Sequence, residues 1–198
     1  IDKAVKGAML AKMRNLGEAC TAANRFYVHE NIADEFSEKY TAAMANLKVG
    51  NGLDSDVDVG PLVNADTRDK VTAFVNDAVA KGAKLLLGGK PMEGKGFFYP
   101  PTVMTNVPEN ADCVADEIFG PVAAIQTFTD QDDVIRRANN TEYGLVAYVF
   151  SEDFKRALQV CERLEYGMVG LNRGLVSDPA APFGGVKQSG LGREGGHE

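Results

Sequence analysis

Histidine is nearly absent from this chain of 198 residues: there are two, His29 and His197. Neither has a metal-ligand companion at useful spacing, so no metal is expected. Cysteine is scarce as well. Three residues with no Cys-x-x-Cys pair exclude a disulfide framework and a cysteine zinc site, and fit a reducing cytoplasm. No apolar run approaches the roughly 20 residues that cross a bilayer. The opening Ile1-Asp2-Lys3-Ala4-Val5 has no signal-peptide architecture. Basic blocks are missing too: Lys and Arg are scattered and the formal net charge is −7. Neither nucleic acid nor an acidic membrane surface is therefore an expected partner.

What is present is ordinary for a globular protein. The chain is 44% hydrophobic and 25% charged, and its length suits one domain with a full core. It opens without Met, already inside a helical pattern, and closes on Gly195-Gly196-His197-Glu198 with no element to finish a domain. It is expected to be part of something longer.

Ile1, Ala4, Val5, Ala8, Met9 and Met13 recur at helical spacing up to a stop near Gly17. Arg25–His29 reads as a short strand, followed by a helix from about Ala33 to Leu47 and a Gly- and Asp-rich loop over 49–64. Val71, Phe74, Val75, Ala78 and Val79 mark a further helix. Lys84–Leu87 reads as a buried strand, and 98–107 and 122–128 as two more. Asp130 is placed to cap a helix carrying Val134, Ile135 and Ala138. The apolar run 145–150, a helix stripe of Phe154, Ala157, Leu158, Cys161 and Leu164, and a strand over 168–172 complete the pattern. Strands alternating with helices, several of them apolar throughout, predict an α/β fold: a doubly wound, mostly parallel sheet with helices on both faces. Ligands in such folds collect at the carboxyl ends of the strands.

Several chemical-looking patterns do not hold. Gly190-Leu191-Gly192-Arg193-Glu194-Gly195 spells G-x-G-x-x-G but follows a loop, not a strand. Gly89–Lys95 nearly spells a phosphate-binding loop, yet Gly96 stands where the hydroxyl should be. Asp54, Asp56 and Asp58 imitate a calcium loop, but the glycine falls late, at Gly60, and Ala65 stands at the closing glutamate position.

A lone cysteine is usually a small buried hydrophobe. Cys161 fits that description on its apolar stripe, and Cys113 carries no assigned role. Cys20 differs, since it lies between a helix and a strand beside Gly17, with Arg14 and Arg25 nearby. Amides at Thr21 and Ala22 would lower its thiol pKa if they opened a helical turn.

Three motifs, Gly17-Glu18-Ala19-Cys20-Thr21, Glu117-Ile118-Phe119-Gly120-Pro121 and Pro182-Phe183-Gly184-Gly185-Val186-Lys187-Gln188-Ser189-Gly190, stand in this order. Together they resemble the aldehyde dehydrogenase superfamily, and the surrounding residues are most similar to its succinate-semialdehyde dehydrogenase branch. The resemblance spans residues 1–198 but only the second half of such an enzyme. It implies a nucleophile-bearing catalytic domain, with the NAD(P)-binding domain, the glutamate base and an asparagine oxyanion donor absent from this chain.

What the resemblance implies for residues is specific. Cys20 matches the nucleophile: its thiolate attacks the aldehyde, hydride passes to NAD or NADP, and the resulting thioester is hydrolysed. The amide of Cys20 is one oxyanion donor. Glu117 corresponds to the carboxylate that binds the nicotinamide ribose and Phe119 to a ring packed near the nicotinamide, so both are expected cofactor contacts. Lys12-Met13-Arg14-Asn15-Leu16-Gly17 is similar to the stretch whose arginine grips the distal carboxylate of succinate semialdehyde. Arg14, whose fork suits a carboxylate, Ser177 and Phe183 are the expected substrate contacts. Asn172 is placed to satisfy backbone groups. The family commonly carries Gln at Glu18, and a carboxylate there raises a nearby thiol's pKa by like-charge repulsion. Ala22 stands where some relatives carry a second, redox-active cysteine.

The implied partner is a small aldehyde, with a homodimer or homotetramer for the full-length enzyme in the cytoplasm. Three alternatives remain: a broad-specificity aldehyde dehydrogenase, a cysteine hydrolase using His29 as base, and a non-enzymatic domain kept for assembly.

Overall fold

The computed structural model describes residues 1–196; His197 lies outside them. The chain divides into two compact units, one formed by Ile1 and residues 12–127, the other by residues 2–11 and 128 onward.

In the first unit, β1 (Arg25–His29), β4 (Val122–Phe128), β3 (Thr102–Thr105) and β2 (Lys84–Leu87) lie side by side in the order β1-β4-β3-β2. β3 and β4 run parallel, Thr102 opposite Val122. β2 runs antiparallel on β3, with a register slip between Leu85 and Leu87. Strand β1 alternates in burial, Phe26 and Val28 inward, which is how a half-buried strand reads. Helix α2 (Glu30–Ala45) sets Phe36 and Tyr40 in a stacked pair, ring centroids 5.6 Å apart, with Phe26 5.5 Å from Tyr40. Helix α3 (Ala65–Ala80), capped by Asn64, contributes Val71, Phe74, Val75 and Ala78 to a core that also holds Tyr99, Met104, Cys113, Ile118 and Val122. The four-residue helix α4 (Asp112–Ala115) carries Cys113 into that core.

The second unit pairs β5 (Val146–Val149) with β6 (Met168–Leu171) in parallel. It also holds helices α5 (Gln131–Asn139) and α6 (Phe154–Arg163), capped by Asp130 and Asp153. Helix α1 (Asp2–Met13) gives this unit its first ten residues. Gly7 faces the Phe150 ring so closely that a Cβ would lie 2.1 Å from its Cζ. The fold is thus α/β with mostly parallel strand pairing and flanking helices.

Three elements depart from expectation. Lys84–Leu87 is an edge strand with Lys84 and Leu85 exposed, not a buried one. The strand expected over 98–107 shrinks to Thr102–Thr105, because Pro100 and Pro101 have no amide to give a ladder. Helix α2 starts at Glu30 rather than near Ala33, since the His29 Nδ1 accepts from the Asn31 amide at 3.3 Å and caps it.

Candidate active site

The nucleophile candidate sits on a strained connection. Helix α1 ends at Met13. Arg14, exposed, leaves helical geometry at φ −55°, ψ 121°. Asn15 and Leu16 then take left-handed conformations, φ 50° and 47°, before Gly17 at φ 83°. Non-glycine residues rarely occupy this region, and such strain persists only where surroundings enforce it. Here the Glu18 amide donates to the Asn15 carbonyl at 2.8 Å and the Asn15 side chain donates to the Glu18 carbonyl at 2.8 Å. Leu16 packs on the core. Gly17 is buried, and a Cβ on it would lie 2.2 Å from the Gly120 carbonyl oxygen.

Cys20 is exposed on this connection, with Thr21 buried beside it. No helix begins after it: the Ala22 amide donates back to the Ala19 carbonyl at 2.8 Å, closing a turn. The expected support from a helix N-terminus is therefore missing. The Glu18 carboxylate accepts from the Val63 amide at 3.2 Å, which fastens the connection to the neighbouring loop. The other two thiols differ. Burial, with Asp77 adding to it, pushes the Cys113 thiol up to about 11, and burial also raises that of Cys161.

The second motif lies in the same unit. Ile118 is fully buried in the core, while Glu117 beside it is exposed and Phe119 is half-buried at φ 51°. Lys70 Nζ donates to the Glu117 carbonyl at 3.2 Å. The buried isoleucine thus anchors the loop, and its two neighbours are left accessible. Glu117's carboxylate enters no ion pair among the described residues, so it remains available to hydroxyl donors. An exposed carboxylate acceptor beside a half-buried ring is chemically compatible with the hydroxyls of a nicotinamide ribose.

Two residues in this region went unnoticed in the sequence. Lys12 is 1% exposed at the end of α1, its Cε 3.3 Å from the Cβ position of Gly17. Burial pulls its ammonium down to about 7, against the opposing pull of Glu117 and Cys113. The signal was there: Lys12 continues the stripe of Val5 and Ala8, an apolar face on which a lysine is out of place. Asn24 gave no periodic signal; its side chain bonds backbone groups 89, 92 and 94 residues away.

The remaining expected contacts lie in the second unit. Ser177 and Phe183 are both half-buried there. Phe183 and Glu194 exchange two backbone hydrogen bonds of 2.7 Å, so the G-x-G-x-x-G stretch folds as a loop against the Pro182-Phe183 turn. Asn172 accepts from the Ser151 amide at 3.1 Å and donates to the Ser151 carbonyl at 2.9 Å, the backbone role expected of it. His29, with Nδ1 given to capping α2, offers a hydrolase little.

The α/β fold and the cysteine connection together define a class, and the sequence agrees: the profile of the aldehyde dehydrogenase family matches residues 1–198, and the chain belongs to that family. It is 58% identical over 198 residues to a succinate-semialdehyde dehydrogenase of Paenarthrobacter nicotinovorans, covering 100% of this chain and 44% of that protein. It is 49% identical over 195 residues to a glutarate-semialdehyde dehydrogenase of Pseudomonas aeruginosa, covering 98% and 40%. The crystal structure of succinate-semialdehyde dehydrogenase from Burkholderia pseudomallei superposes with a TM-score of 0.96 at 49% identity, over 98% of this chain and 40% of that one. The chain therefore spans about two fifths of the length of such relatives.

Proposed function

We propose that this chain is the nucleophile-bearing catalytic part of a longer NAD(P)-dependent dehydrogenase. Its substrate is succinate semialdehyde or a similar carboxylate-bearing aldehyde, and its product is the acid. The observation that carries the reading is Cys20, the exposed thiol of three, on a strained connection tied to the loop that presents Glu117 and Phe119. The family membership and the names of its relatives support the substrate class.

Cys20 Sγ, as thiolate, attacks the carbonyl carbon, and the oxyanion that forms receives a hydrogen bond from the Cys20 amide. When bound, the nicotinamide supplies the two-electron oxidation. Glu117 would hold the cofactor by accepting from its two ribose hydroxyls, and Phe119 would pack beside the nicotinamide ring. The acyl group is left as a thioester on Cys20, and water releases the acid. Arg14 donates two parallel bonds to the substrate's distal carboxylate, Ser177 adds a third, and Phe183 walls the entrance. The full-length enzyme is read as a cytoplasmic homodimer or homotetramer, a compartment that suits three free thiols.

The test uses the full-length protein with succinate semialdehyde, glutarate semialdehyde and an uncharged aldehyde, each with NAD+ and NADP+. Cys20→Ser should abolish turnover. Arg14→Ala should raise KM for the two semialdehydes roughly tenfold to a hundredfold, the value of a charge-assisted bond, and leave the uncharged aldehyde nearly unchanged. Equal losses on all three would remove Arg14 from the site and favour a broad aldehyde dehydrogenase. Undiminished activity in Cys20→Ser would end the reading altogether.

A further inference from the structure

We propose that Asn24 is a positioning residue that sets the cofactor-facing loop against the nucleophile's connection. Its consequence for turnover rests on the dehydrogenase reading; the geometry stands on its own. The Asn24 amide nitrogen donates to the Cys113 carbonyl at 3.0 Å and to the Asp116 carbonyl at 3.0 Å. Its Oδ1 accepts from the Ile118 amide at 2.8 Å. One side chain, four positions beyond Cys20, thus holds the backbone on both sides of Glu117. A primary amide suits the task, because it offers two N–H donors and an acceptor on one rigid plane. Aspartate keeps the acceptor and loses both donors, and serine reaches with one.

The arrangement explains how the two motifs act as one. Ile118 is fully buried, so its side chain fixes the height of the loop, while Asn24 fixes its backbone. Glu117 and Phe119 flank that anchored point. Their accessible positions, and the left-handed φ of 51° at Phe119, follow from a residue pinned by both side chain and amide. The close approach of Gly17 to the Gly120 carbonyl ties the far end of the same loop to the same connection. Without Asn24, the loop would keep that approach, the buried Ile118 side chain and the Lys70 bond to the Glu117 carbonyl, and would lose the three bonds that Asn24 makes to its backbone from the nucleophile's side.

The test combines amide exchange with kinetics on the full-length protein. Asn24→Ala should speed exchange of the Ile118 amide about tenfold or more, as one lost net hydrogen bond predicts, with two further contacts gone. It should raise KM for NAD(P)+ about tenfold while KM for the aldehyde stays within about twofold. Asn24→Asp, which retains the bond from Ile118, should keep that amide protected and still raise KM for NAD(P)+, because a carboxylate then faces two carbonyls. This variant is the one to read if Asn24→Ala does not fold. Asn139→Ala is the control for loss of a backbone clamp: Asn139 donates to the Arg163 carbonyl at 2.8 Å and accepts from the Glu165 amide at 2.9 Å in the second unit. It should lower the melting temperature without separating the two KM values. Unchanged exchange at Ile118 in Asn24→Ala, or an unchanged KM for NAD(P)+ in both Asn24 variants of an active enzyme, would overturn the positioning role. An inactive wild type with faster Ile118 exchange in Asn24→Ala would instead retain the clamp and defeat the dehydrogenase reading.

Discussion

Lys12 shows how much a single residue decides beneath this site. A fully buried ammonium is costly, and the protein responds by pulling its pKa from 10.5 to about 7. The unfolded chain holds that proton up to pH 10.5, and the folded chain releases it near 7. In between, the unfolded state binds more protons, so stability rises with pH, by up to about 1.4 kcal/mol for each pH unit. Below pH 7 the folded state must bury the charge and the stability is lost. Cys113 acts in the opposite direction: its folded pKa of about 11 lies above the unfolded 9.0, so its contribution is present below pH 9 and fades from 9 to 11. The clean interval is therefore pH 7 to 9. The melting temperature should climb by several degrees across it, and Lys12→Met, similar in length and uncharged, should flatten the climb. An equally steep rise in Lys12→Met would mean that Lys12 is not the titrating group. This residue was legible in principle, because a lysine on an apolar stripe conflicts with its own helix face. Its energetic weight was not, because burial is a property of what packs over it.

At the scale of elements, the connection from α1 to β1 stores strain. Three successive residues, Asn15, Leu16 and Gly17, have positive φ, and Phe119 on the facing loop does too. Sparsely populated conformations cost of order 1–3 kcal/mol each and tend to gather at functional sites. Gly17 combines such a conformation with a backbone approach that leaves no room for a methyl group. Gly82 supplies the comparison: φ is 108° and nothing lies within 4 Å of its Cβ position. Gly82→Ala should cost about 1 kcal/mol, the backbone term alone, whereas Gly17→Ala should cost roughly 2 kcal/mol more and change the alkylation rate of Cys20. Equal losses in denaturant melts would show that the Gly17–Gly120 contact yields freely. Caps and periodicities were legible because they are local: Asp130 accepts from the Asp133 amide at 2.8 Å, as its position before an amphipathic run implies. The exposure of β2 was not, because it depends on sheet order; the shortening of β3 was legible in Pro100 and Pro101, which a strand over 98–107 passes over. The strain before Cys20 was only half visible: Asn15 belongs to a residue type that tolerates left-handed geometry, but Leu16 carries no such signature. The motif Glu117-Ile118-Phe119 was readable as a unit, but the residue that holds it, Asn24, is distant in sequence and closes on it only in the fold.

At the scale of the molecule, the chain covers 44% of one relative and 40% of another, which bears directly on what it can do by itself. Hydrolysis of a thioester on Cys20 needs a base to activate water. The carboxylate nearest in sequence, Glu18, is engaged by the Val63 amide, and His29 is turned to capping α2. On the function proposed above, that base, the second oxyanion donor and most of the cofactor's binding surface belong to the part of such relatives that lies outside the matched residues. Two activities should therefore separate. The 198-residue chain, given an aldehyde and NAD(P)+, should produce no NAD(P)H, while its Cys20 still alkylates at neutral pH faster than Cys113, whose buried thiol is pushed up to about 11. Joining the chain to the N-terminal portion of a relative should restore turnover, and Cys20→Ser in that fusion should remove it again. Steady NAD(P)H production by the chain alone would show that a base and a cofactor surface both exist within residues 1–198, and that the division of labour argued from the relatives' length is wrong.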